Sequence, residues 1–189
     1  MPFTHFQLTV AAAVALSLTT ACGDPTLPAA TIPNRIDTLT LAAVRGTPVP
    51  DPSGLDIVFR RVSRPDLGQD FDFMFDIDSA GTAMMVPAGL LGLTREAGWR
   101  SANQQFEEII TAPVEDYTTD TALIVTVGDV FFARSRSFST GCEFLGTSLP
   151  RYGKFHVVEF DAELRSITLE VVIDVNCGYR GLEPGFPTS

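Results

Sequence analysis

The chain is predicted to be all-β: an antiparallel β-sandwich or barrel-like single domain. Three observations carry that expectation. The stretch "DFDFMFDID", residues 70–78, places Phe71, Phe73, Phe75 and Ile77 on one side and Asp70, Asp72, Met74, Asp76 and Asp78 on the other. Strict period two marks a half-buried strand. Further apolar runs recur between turn signals, giving seven to nine expected strands. Helical periodicity is confined to residues 88–112, where Gly89, Gly92 and Gly98 limit it to one or two short helices.

Before the domain comes an export segment. Residues 7–21, "QLTVAAAVALSLTTA", are mostly apolar or small, and none is charged. That length suits the core of a secretory signal and is too short for a bilayer span of about 20 residues. Residues 1–21 are therefore expected to be a removed signal peptide. Its end, Leu18-Thr19-Thr20-Ala21-Cys22, resembles the lipobox of bacterial lipoproteins. The resemblance implies that Cys22 becomes the mature N-terminus and carries lipid, which anchors the protein to a membrane of the cell envelope. Ordinary cleavage after Ala21, giving a secreted or periplasmic soluble protein, is the alternative.

Residues 22–35 continue as a tether after Cys22, with Pro25, Pro28 and Pro33 and no periodicity. Extended at about 3.1 Å per residue, it would hold a domain up to roughly 40 Å from a membrane. The domain itself is expected over residues 36–182, with a tail at 183–189.

The expected strands follow in order. "IDTLTLA" (36–42) alternates, and "LDIVFR" (55–60) sets Leu55, Ile57 and Phe59 on one face. Residues 79–81 turn the chain so that 82–87 can return beside 70–78. "TALIVTV" and "VFFARS" flank Gly128-Asp129, a tight-hairpin signal. "KFHVVEFD" (154–161) and "SITLEVVIDV" (166–175) form the last hairpin, with Ile167, Leu169, Val171, Ile173 and Val175 on one face. If Asp161 faces Ser166, Cys177 falls opposite residue 150, at the end of the loop that holds Cys142. With Cys22 lipidated, the remaining two of three cysteines are expected to pair as Cys142–Cys177. The end of the chain from Arg151 to Arg180 resembles the terminal hairpin of β-rich bacterial surface lipoproteins. Some distant look-alikes bind haem through histidine pairs, which this chain lacks. The resemblance implies class and location, and no haem or other cofactor is expected.

Composition excludes some functions. A formal net charge of −10 argues against nucleic acid, whose phosphates require a basic surface. His5 lies in the export segment and leaves His156 alone, too few for a usual zinc site or a Ser-His-Asp centre. His156 is expected to be a structural strand residue, on a face with Val158 and Phe160. Asp70, Asp72, Asp76 and Asp78 are the one weak candidate for a metal site, a hard cation taking several oxygens. The competing expectation is a solvated acidic strand face, and no metal is expected. Adjacent acids such as Glu107 and Glu108 do not form a spaced pair for glycoside hydrolysis. The chain is thus expected to be a non-enzymatic binding or structural protein, with an envelope protein or a small ligand as partner. Ligand capture by a surface lipoprotein is the main alternative, and a carboxylate-based hydrolase is the third.

Overall fold

The computed structural model describes residues 27, 29–93, 96–139, 142 and 146–188. Cys22 and the export segment lie outside the described residues. Ten strands form two antiparallel five-stranded sheets packed as a sandwich. The first sheet runs, in spatial order, β1 (Asp37–Ala42), β10 (Ser166–Asp174), β9 (Tyr152–Asp161), β8 (Val130–Arg134) and β6 (Gly98–Ser101). The second runs β3 (Arg61–Ser63), β2 (Gly54–Asp56), β4 (Phe73–Ile77), β5 (Ala83–Pro87) and β7 (Leu123–Ile124). No barrel closes. Segments 88–91 and 106–108 are 3-10 turns, the short helical pieces expected there.

Alternation builds the core. Phe73, Phe75 and Ile77 of β4 are buried against Ile167, Leu169, Val171 and Ile173 of β10, with Phe131 and Phe155 filling the middle. Each such side chain contributes about 1.5–3 kcal/mol by leaving water. Packing is close enough that a Cβ at Gly153 would lie 2.8 Å from the Phe155 ring and 3.0 Å from Ile173.

The β9–β10 hairpin has the predicted start, Ser166 opposite Asp161, and then slips by one residue between Thr168 and Leu169. Ile167 pairs with Phe160, and Leu169 with Val157, so Val158 is the extra residue of a bulge. The bulge returns Phe160 to the core face, where its ring meets Phe75 at 6.5 Å. Phe160 therefore does not share a face with His156, contrary to expectation.

Three further expectations are corrected. Residues 57–60 are a turn, not the end of a strand: Asp56 accepts from the Phe59 amide, Arg60 has φ 50°, and β3 folds back on β2. Phe59 consequently sits outside, edge-on to Phe138 at 5.0 Å. The Gly128-Asp129 turn does not make a hairpin. β7 pairs with β5 in one sheet and β8 with β9 in the other, because each run has apolar residues that complete a different inner face. Strands as short as β3, β6 and β7 carry too little periodicity to be counted, hence ten instead of seven to nine.

The outer face of the first sheet is also covered. Phe106, Ile109, Ala112 and Leu182 pack on Phe132, Tyr152 and Val172. Ala112 and Leu182 exchange backbone bonds with Arg180 and Ile110, tying the cover together. Cys142 and Cys177 are bridged at one end of the sandwich, with Cα atoms 5.6 Å apart. Residues 31–34, part of the segment read as tether, are attached to the same end. Thr31 and Ile32 donate their amides to Asn176 Oδ1, each at 3.0 Å, and Asn34 pairs with Gly185.

Candidate binding site

The four aspartates of 70–78 have different surroundings. Asp72 is fully buried. It accepts from the amides of Ile57 and Arg136, each at 2.8 Å, and lies 3.1 Å from the Arg136 guanidinium. Burial pushes its carboxyl above the usual 3.8, against the pull of Arg136. Asp76, also buried, pairs with Arg45 at 2.7 Å. Asp78 accepts from the amides of Ala80 and Thr82, and those bonds hold its carboxyl below 3.8. Only Asp70 is well exposed, at 73 % of its side chain. The solvated acidic face is therefore corrected at Asp72 and Asp76, which are buried and each paired with an arginine. Among the described residues no three His, Cys, Asp or Glu side chains gather as metal ligands.

Arg136 is the hub of this polar cluster. It also meets Asp56 at 3.2 Å, and Asp56 meets Arg61 at 3.2 Å. Asp56 and Asp72 belong to the second sheet and Arg136 leaves the first, so the cluster joins the sheets. A surface cleft of about 390 Å³ opens beside it, between Pro65, Phe71 and Leu93. With its guanidinium facing Asp56, Asp70 and Asp72, Arg136 offers that cleft little positive charge.

Two polar side chains of β9 point under the outer cover. Lys154 is buried and donates to the carbonyls of Phe106 (2.8 Å) and Ile109 (2.9 Å), with its ammonium 4.5 Å from the Phe106 ring centre. Burial lowers its pKa, opposed by nearby Glu107, Glu183 and Glu170. His156 is half-buried, 3.5 Å from Glu170. The role of Lys154 had one signal in the sequence: a lone lysine inside an alternating apolar strand.

The sandwich opens at the seam where the edge strands β6 and β7 approach. A cleft of about 320 Å³ lies there, between Ile124 of β7, Asn103 and Gln105 of the following loop, and Val130 of β8. A second, of about 370 Å³, shares Ser101–Gln104 and runs to Pro113. Their walls combine amide side chains, backbone and apolar groups with one charged side chain each, Asp129 in the first and Arg100 in the second. These suit recognition by hydrogen bonding and contact. The interior between the sheets is filled by the phenylalanines described above, so a ligand would bind at this surface and not inside.

Comparison with protein-family models, curated proteins and solved structures finds no match. The location reading rests on the chain itself. A disulfide within the folded domain is the mark of an oxidising compartment, and it points to an extracytoplasmic protein.

Proposed function

We propose that the protein is an exported cell-envelope binding protein, non-enzymatic and attached to a membrane by lipid on Cys22. The observation that carries this reading is the Cys142–Cys177 bridge. It accounts for two of the three cysteines and leaves Cys22, at the end of a lipobox-like signal, as the third. The partner is a second macromolecule that meets the seam between β6 and β7. Surface clefts lined by amide, apolar and single charged side chains favour contact along a surface over enclosure of a small molecule.

Intact mass of the mature chain from its native host tests this, measured before and after reduction. An N-terminus at Cys22 with acyl mass, and a gain of about 2 Da on reduction as two thiols form, is the expected result. A mature chain starting elsewhere without lipid would overturn the anchor and make the protein a free secreted one.

A further inference from the structure

We propose that the outer edge of β7 takes up an extended, basic peptide segment of a partner protein as an added strand, with side chains of that segment entering the adjoining cleft. This deepens the reading of the protein as a binding module and rests on it.

The backbone supplies the first argument. Leu123 pairs with Met85, and the Val125 amide donates to the Ala83 carbonyl at 3.0 Å. Alternation along a strand then turns the Ile124 N–H and C=O away from β5. Among the described residues neither group has a hydrogen-bond partner. The Ile124 side chain is 62 % exposed and Val127 60 %.

Sheets blunt their edges with short strands, lysine, proline, bulges or a covering segment. Of these, β7 has only shortness: it is two residues long, and Asp129 accepts from the next outward amide, Thr126, at 2.7 Å, which leaves the Ile124 groups open. β3 begins with Arg61, and β6 is covered by the Trp99–Thr118 bridge. The β7 run Thr121–Val127, "TALIVTV", has no charge and no proline.

Charge selects the occupant. Between Ser101 and Ala133 there is no Lys or Arg, while Glu107, Glu108, Glu115, Asp116, Asp120 and Asp129 are all exposed. Arg100 offsets one of them, at 3.4 Å from Asp116. A basic segment is attracted to this surface. A second copy of the chain, at net charge −10, is repelled. Strand addition needs only main-chain bonds plus alternate side-chain contacts, both of which this edge presents.

The test titrates the full-length, oxidised, isotope-labelled protein with a capped hexapeptide alternating Lys and Val. Amide shifts centred on Ile124 and Ala122 are expected, with binding weakened by salt. The Glu-Val counterpart should bind about tenfold more weakly or worse. Ile124→Pro removes the outward N–H without touching the bonds to β5, and should lose about tenfold in affinity at unchanged melting temperature. If that variant fails to fold, the Lys-Val peptide N-methylated on alternate residues carries the test on the unaltered protein and should not bind. The proposal is overturned by absence of Lys-Val binding, by equal binding of both peptides, by shifts centred elsewhere, by full binding to Ile124→Pro, or by β7 pairing between copies instead. Any of those outcomes leaves the envelope reading standing, since the mass of the mature chain decides that separately.

Discussion

Arg136 donates its backbone amide to Asp72 at 2.8 Å and sets its guanidinium 3.1 Å from the same carboxylate oxygen. One residue of the first sheet's boundary thus closes a buried charge of the second sheet twice. The two contacts separate cleanly by mutation, because only the guanidinium is lost in Arg136→Met. That change leaves Asp72 buried without its cation and Asp56 with Arg61 alone, and should cost about 3–5 kcal/mol in urea unfolding. Asp72→Asn in the Arg136→Met background should restore part of the loss.

Asp174 should make stability depend on pH. It is fully buried, and burial raises its carboxyl above 3.8 although Asn176 donates two bonds to it and Arg151 lies near. A raised acid keeps its proton longer in the folded state than in the unfolded chain. Its effect is absent below 3.8, and it lowers stability as pH climbs from 3.8 through the raised folded value, then levels off. Asp72 acts in the same direction. Asp174→Asn should flatten this part of the stability–pH curve, measured by thermal unfolding across the acidic range. An unchanged curve would show that Asp174 titrates normally.

Lys154→Met should detach the outer cover. The carbonyls of Phe106 and Ile109 lose their buried donor, at about 1–3 kcal/mol. Hydrogen exchange should speed up in residues 106–112 and 180–182 before it does in β10.

Reduction of Cys142–Cys177, which closes a separation of 35 residues, should lower unfolding free energy by about 3–4 kcal/mol in the chain-entropy model. Replacement of both cysteines by alanine should give a chain whose stability no longer responds to reductant.

The sheet class and the last hairpin were readable because their causes are local. Asp161 and Ser166 flank a four-residue turn, and alternation from Ile167 to Ile173 names the core face. The bridge followed from that register together with the cysteine count. What stayed hidden depends on distant partners. Asp72 looks like any surface aspartate until Arg136, 64 residues later in sequence, is set against it. Asp76 and Arg45 are 31 apart. The bulge at Val158 was invisible because valine suits either face. The Gly128-Asp129 signal marks a turn correctly, but the sheet joined by the next strand is decided by packing and not by the turn. The seam had no signal of its own, since it arises where two edges from different sheets meet.

The attachment of residues 31–34 to Asn176 sets how the domain stands when Cys22 is its anchor. Between Cys22 and Thr31 only nine Cα steps remain, at most about 30 Å of covalent reach, against the roughly 40 Å of the whole segment. The rooted end is the one carrying Asn176 and the disulfide, where β8 finishes at Arg134 opposite Tyr152. Val130, which borders the seam cleft, starts β8 at its other end. The molecule would stand low on its membrane like a short post, bridged end down, offering the edge of β7 outward to whatever passes above.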